Sequence, residues 1–463
     1  MARKKIVIVG AGSAVFTRGL VADLILTPEL GPWTLGLVDV DPSALETAEG
    51  LSHRMVRVRG ADILIEASTD RQEVLPGAAV VVVTIGVGGR RAWEQDVFIP
   101  RRYGIYQPVG DTVMPGGISR AMRMIPALID IARDVQAMCP HALFFNYSNP
   151  MTANCWAIRK ATGAPVVGLC HGVFHVEREL AAVLGAPHHE ISSLAVGLNH
   201  LTFFYDLRRN GDDAWPTLRQ MAAEALHGKA RDASFPAAGD LMAHPVQIAH
   251  NPFSWSLFET YGAYPAANDR HVTEFFPERF PGGSYYGKTL GVDAFSFETV
   301  ITWGDEDYAA MRAQALGARP LDERIFARAA GEHEQLLDIL RAIGRDSRRV
   351  FSVNLPNAGA IPNLPDDAIL ELPAVATARG LRALHLPDFP DTLAAITARK
   401  LAATRLTVEA ALTGDRNLFV EALLADGAVA NRDVAERMAG ELLAAQRPYL
   451  PNFFPGSAGL AGQ

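Results

Sequence analysis

Cysteine is scarce in this chain: 463 residues contain three, Cys139, Cys155 and Cys170. An odd, sparse set excludes a disulfide-stapled scaffold. It fits a reducing cytoplasm, where a cysteine serves as core filler, metal ligand or catalyst. Long apolar runs are also missing, and none approaches the roughly 20 residues a membrane helix needs. The chain enters a strand-like segment almost at its first residue, so no secretion signal is expected. Positive charge is not in excess: 43 Lys and Arg face 51 Asp and Glu, a formal charge of −8. No basic run offsets that balance, which argues against nucleic acid as a partner. No internal repeat is visible. What remains, 49 % apolar and 20 % charged residues, is an ordinary globular composition. The length exceeds one compact core, so two packed domains are expected, 1–190 and 191–463.

Through the first third of the chain, β-branched runs alternate with helical spacers. Ile6–Val9, Leu35–Val38, Ala79–Thr84, Ala142–Asn146 and Pro165–Leu169 read as strands. Continuous runs of this kind predict a parallel sheet covered on both faces, an α/β Rossmann-like doubly wound fold. Past residue 190 the pattern becomes mixed α+β. Leu194–Phe204 and Asp293–Thr302 read as strands, and Pro390 to Ala445 is strongly helical. Ala121–Met138 has the period of a crossover helix.

The first strand runs into Gly10-Ala11-Gly12-Ser13, and the second ends on Asp39. Such glycines let a backbone approach a pyrophosphate, and the following helix N-terminus stabilises its charge. Asp39 suits a ribose and would repel the extra phosphate of NADP. Only two of the usual three glycines are present, with Phe16 near the third position. The third strand ends in Thr84-Ile85-Gly86, beside the predicted cofactor, followed by Arg90 and Arg91. The fourth ends in Asn146-Tyr147-Ser148-Asn149-Pro150, whose amides suit sugar hydroxyls. Cys170-His171-Gly172 closes the fifth, with His175 one turn on and Asn199-His200 some thirty residues later. A thiolate and an imidazole are good ligands for a divalent transition metal and would leave positions open for substrate oxygens. Further on, Tyr264 to Glu274 crowds titratable groups into one segment, and Val353–Pro365 is rich in amides.

Taken in order, these segments resemble the NAD-dependent, metal-dependent glycosidases of glycoside hydrolase family 4. The likeness runs through nearly the whole chain. It rests on Gly10–Ser13, Asp39, Gly110-Asp111-Thr112, Gly116-Gly117-Ile118, Asn146–Pro150, Cys170-His171-Gly172, Gly197–His200, Asn354…Pro365 and Glu371. It implies a lactate/malate dehydrogenase-like fold. The implied reaction is oxidation of the sugar at C3 by NAD+, C2 deprotonation, elimination of the C1 substituent, water addition and re-reduction. The two-carboxylate mechanism is thereby bypassed. By the same resemblance Cys170 and His200 hold the metal, expected to be Mn2+. Gly10, Gly12, Ser13, Phe16, Asp39, Thr84, Gly86 and Asn146 are expected at the cofactor. Asn149 and Asn199 are expected at the sugar, with Asp111 and His171 in the catalytic group. The C2 base is Asp269 or Tyr264. Phe275 cannot ionise where related α-glycosidases often carry tyrosine. A homodimer or homotetramer is the assembly the resemblance suggests.

His171 after Cys170 points, by resemblance, to an unphosphorylated α-hexoside as the small-molecule substrate. Arg90, Arg91, Arg270 and His175 could form a cationic pocket for an anionic C6 group, a uronide or sulfoquinovoside. A neutral α-glucoside or α-galactoside is the alternative. A plain NAD-dependent 2-hydroxy acid dehydrogenase would leave Cys170 and Asn199-His200 without a role, and a non-enzymatic nucleotide-binding regulator would need no metal.

Overall fold

A computed structural model gives the tertiary arrangement, and it describes residues 3–227, 251–326 and 334–455. Six strands form its parallel half: β1 (Lys4–Val9), β2 (Trp33–Val38), β3 (Ile63–Ser68), β4 (Val80–Val83), β5 (Leu143–Asn146) and β6 (Val167–Gly168). Their spatial order is β3-β2-β1-β4-β5-β6, all parallel. This is the doubly wound order, which reverses between β1 and β4 and opens a crevice beyond the strands' carboxyl ends. Helices such as Ala14–Leu26, Pro42–Arg59 and Met114–Met138 cover the faces, so β2 and β4 are buried along their whole length. β3 carries no continuous apolar run. Its exposed Leu64 and Glu66 and its place at the end of the sheet mark it as an edge strand.

Nine further strands follow among the described residues: β7 (Ile191–Leu198), β8 (Leu201–Arg209), β9 (Asp212–Asp213), β10 (Tyr264–Pro265), β11 (Ser284–Tyr285), β12 (Lys288–Thr289), β13 (Val350–Pro356), β14 (Ile369–Thr377) and β15 (Gly380–Ala383). β13 joins β6 antiparallel, and the sheet continues through β14, β7, β8 and β10. One sheet therefore runs through both halves of the chain. A single register row crosses the join, pairing Gly168 with Asn354, Asn354 with Glu371 and Glu371 with Gly197.

Two segments depart from the sequence expectation. Leu194–Phe204 is not one strand but the β7–β8 hairpin, closed where Leu198 pairs with Leu201 and turned at Asn199-His200. Gly197 permits the closure: a Cβ there would lie 2.1 Å from the Leu201 carbonyl oxygen. Asp293–Thr302 leads into the helix Phe297–Ala315, because Ser296 caps it by accepting the Thr299 N–H. The helical C-terminal third divides into Asp391–Thr413, Arg416–Asp426 and Arg432–Ala445, with Asp415 and Asn431 capping the last two. The first of these packs on the Met114–Met138 helix. Among the described residues no helix is long and apolar enough to cross a membrane.

Candidate active site

At the switch point, β1 ends in a turn that only small residues allow. Gly10 has φ +94°, and a Cβ on it would meet the Thr84 backbone at 2.8 Å. The N–H groups of Gly10 and Ala11 donate to the Val38 carbonyl, locking the turn to β2. Gly12 donates its N–H to Asp39 Oδ2 at 2.8 Å, and a Cβ there would strike Ala44 and Asp39. The other Asp39 oxygen accepts from the Asp41 N–H, and burial pushes this carboxyl above its ordinary range. Ser13 makes no side-chain cap on the Ala14–Leu26 helix, whose first N–H groups suit an anion there. These features fit a dinucleotide pyrophosphate. Phe16, expected at the cofactor, lies in the core with its ring centroid 4.6 Å from that of Tyr147. Asn146 is buried, and both ends of its amide serve the turn: Nδ2 donates to the Ser148 carbonyl and Oδ1 accepts the Ser148 N–H. Thr84 continues the β1–β4 ladder by donating to Val9, and Gly86 begins the loop toward Gly89.

Beyond these strand ends lies a connected polar cluster. Asn149, before the cis Pro150, donates from Nδ2 to Asp111 Oδ2 at 2.9 Å, while its own Oδ1 is buried with no partner. The Thr112 hydroxyl donates to Asp111 Oδ1 at 2.7 Å and lies 2.8 Å from His200 Nδ1. A hydroxyl has one proton. Since it goes to Asp111, His200 must carry its own on Nδ1, which leaves Nε2 as a lone-pair donor. The His271 ring stands 4.1 Å from that of His200, centroid to centroid. Ligand atoms of Asp111, His200 and His271 all lie within 4.8 Å of one another. Burial above all holds His271 well below the ordinary imidazole range, so it is neutral. Two imidazoles and a carboxylate suit a divalent transition metal. Cys170 lies outside that trio; its buried Sγ accepts the Gly172 N–H at 3.3 Å. His171 stands at the residue before the helix Gly172–Val183, and its side chain makes no capping hydrogen bond there.

Both candidate bases are bound into the framework around the site. Asp269 is fully buried and accepts four hydrogen bonds, from the Phe253 and Ser254 N–H groups, the Ser254 hydroxyl and the Tyr285 hydroxyl. It anchors the N-terminus of the Pro252–Tyr261 helix. Tyr264 packs among Trp255 and Phe258, and burial drives its phenol far above the usual value. A phenol so hard to ionise is a poor base.

The residues expected around an anionic C6 group fall into two sets. Arg90 and Arg91 both pair with Asp305 at 2.6 Å, and Arg91 also binds Glu94. His175 pairs with Glu179 at 2.9 Å. Asn199, expected at the sugar, is buried and donates to Glu371 instead. Arg270 remains: its Nε is buried with no hydrogen-bond partner, and Asp111 and Glu274 are the carboxylates that act on it. Arg120, which carried no signal in the sequence, joins it by donating from Nε to the Asn149 carbonyl at 3.0 Å and also feels Asp111. Glu274, buried behind them, accepts the N–H groups of Val109 and Gly110 on one oxygen, Oε1, at 2.8 Å each. Burial raises its carboxyl to about 8. The amide-rich loop after β13 is structural: Asn357 staples it through the Ile361, Leu364 and Pro365 carbonyls.

The model of family 4 glycosyl hydrolase matches residues 5–186, and that of the family 4 glycosyl hydrolase C-terminal domain matches residues 195–429. An alpha-galactosidase of Rhizobium meliloti (strain 1021) is 33 % identical, over 98 % of this chain and 90 % of its own. An alpha-galacturonidase of Bacillus subtilis (strain 168) is 30 % identical, over 95 % of this chain and 96 % of its own. Among solved structures, a 6-phospho-alpha-glucosidase from gut microorganisms, in complex with NAD and Mn2+, superposes with a TM-score of 0.83. That pair shares 19 % identity over 98 % of this chain and 100 % of that one, a likeness of fold. With both halves matched and a relative of this identity along nearly its full length, the chain belongs to the family 4 glycosyl hydrolases.

Proposed function

We propose that this glycoside hydrolase cleaves an unphosphorylated α-hexoside bearing an anionic group at C6, an α-uronide or α-sulfoquinovoside, with NAD+ and Mn2+ bound. The observation that carries the anionic preference is Arg270, whose buried Nε has no hydrogen-bond partner. A guanidinium donor taken out of water without an acceptor is costly, and a carboxylate or sulfonate would satisfy it. Arg120 stands by the same Asp111 and supplies a second cation. A relative named alpha-galacturonidase at 30 % identity agrees with a uronide.

When bound, NAD+ supplies reversible oxidation of a sugar carbon, and Mn2+ supplies Lewis acidity beside it. The chain's own groups do the rest. Gly10, Gly12 and Ser13 make room for the pyrophosphate, and Asp39 accepts from the ribose. Asn149 and Asp111 orient the sugar hydroxyls. His200 would present Nε2 to the cation, and Cys170, just beyond the end of β6 and two strands removed from β7, would be the second ligand.

Rates on aryl α-galacturonide, α-glucuronide, α-sulfoquinovoside, α-galactoside and α-glucoside, each with and without NAD+, Mn2+ and reductant, test the reading. We expect an acidic sugar to lead by about tenfold or more in kcat/KM, the worth of one charge-assisted contact. Arg270→Ala should erase that lead. A preference for the neutral galactoside in the parent enzyme would overturn the anionic pocket. It would favour the second reading, an α-galactosidase, which the 33 % identical relative supports. Solvent deuterium absent from C2 of the product would rule out proton abstraction there.

A further inference from the structure

The register row that joins the two halves of the sheet also spans the distance between the proposed metal ligands. Gly168 lies two residues before Cys170, and Gly197 three before His200. Between them the row holds two buried polar residues, Asn354 on β13 and Glu371 on β14. Both ends are glycine for a reason of space. A Cβ on Gly168 would lie 2.8 Å from that of Asn354, and one on Gly197 would meet the Leu201 carbonyl.

At the His200 end the contacts are direct. Glu371 Oε2 accepts from Asn199 Nδ2 at 3.3 Å and lies 3.1 Å from the Thr202 hydroxyl, which shares its proton between Glu371 and the Leu198 carbonyl at 3.0 Å; these are the residues before and two after His200. His200 itself has φ +68°, a left-handed conformation that costs a non-glycine residue of order 1 kcal/mol. Such a backbone persists where its surroundings over-determine it. We propose that Glu371 is a positioning residue: it clamps the Asn199–Thr202 turn and so holds the His200 imidazole at the angle the cation requires. It touches neither sugar nor metal. The inference rests on His200 being a metal ligand, and the experiment separates the two claims.

Mn2+ binding to the NAD+-loaded enzyme, followed by the loss of the free-ion EPR signal, gives a readout independent of turnover. Groups that orient a metal-binding histidine are worth about 10–100-fold in metal affinity, so Glu371→Ala should weaken Mn2+ binding by that factor while NAD+ binding stays at the parental value. Glu371→Gln keeps an oxygen acceptor on nearly the same frame and should bind Mn2+ close to the parent. Thr202→Val, which removes one of the two clamped donors, should weaken binding several-fold and decides the matter if the alanine variant does not fold. Parental Mn2+ affinity in a folded Glu371→Ala protein, with His200→Ala abolishing binding, would overturn the clamp alone. Parental affinity in His200→Ala would overturn the ligand assignment beneath it.

Discussion

The hydroxyl of Thr112 decides which nitrogen of His200 is available. Its proton is committed to Asp111 at 2.7 Å, so the imidazole must donate from Nδ1. Thr112→Val removes that acceptor and frees the tautomer, and Mn2+ affinity measured by calorimetry should fall about tenfold. Asp269 illustrates the opposite case, a titratable residue in a suggestive motif whose four hydrogen bonds all serve the framework. Asp269→Asn would place an amide N–H₂ against N–H and O–H donors. We expect a loss of about 2–3 kcal/mol in denaturant unfolding, the range for unsatisfied buried groups. Unchanged stability would overturn that framework role. That Asp269 caps a helix could not be read from its neighbours, because Phe253, Ser254 and Tyr285 come together only by folding.

The turn after β1 was legible because its constraint is local. Two glycines at fixed spacing after an apolar strand, and an aspartate at the end of the next, state the backbone path directly. Gly10→Ala meets both a left-handed φ and the Thr84 backbone at 2.8 Å. NAD+ affinity, followed by quenching of protein fluorescence, should drop at least about tenfold, with a cost to stability of about 1–3 kcal/mol. The β7–β8 hairpin was not legible. Its apolar residues stop only for Asn199-His200 and resume at once, since β7 and β8 are buried on both sides of the turn. Gly197, with Asn199 two residues on, was the available signal. Serine before the Phe297–Ala315 helix was a second such signal, masked by the β-branched residues around it.

At the scale of the molecule, two buried carboxyls carry a pH signature. Glu274 is raised from 4.5 to about 8 and Glu371 from 4.5 to about 7, in both cases chiefly by burial. The folded state therefore holds these protons more tightly than the unfolded chain. Their contribution to stability is complete below the ordinary carboxylate pKa and is lost as pH rises through about 7 and about 8. The unfolding free energy of the apo-protein should decline from pH 5 to pH 9. Glu274→Gln, which keeps an acceptor for Val109 and Gly110, should flatten that decline. A slope unchanged by the substitution would place the titration elsewhere.

By itself the sequence determined the doubly wound half, the glycine turn that suits a dinucleotide and the family. Those follow from periodicity, from glycines and from motifs carried on short contiguous stretches, where covalent neighbours are also spatial ones. Only the tertiary structure decided which charged groups are spent. Arg91 and His175 looked available but pair with Asp305 and Glu179, whereas Arg120, silent in the sequence, reaches the Asn149 carbonyl. The reason is physical: a charge is available to a ligand only if no nearer partner neutralises it. The distances that settle this are set by strands and helices far apart in the chain.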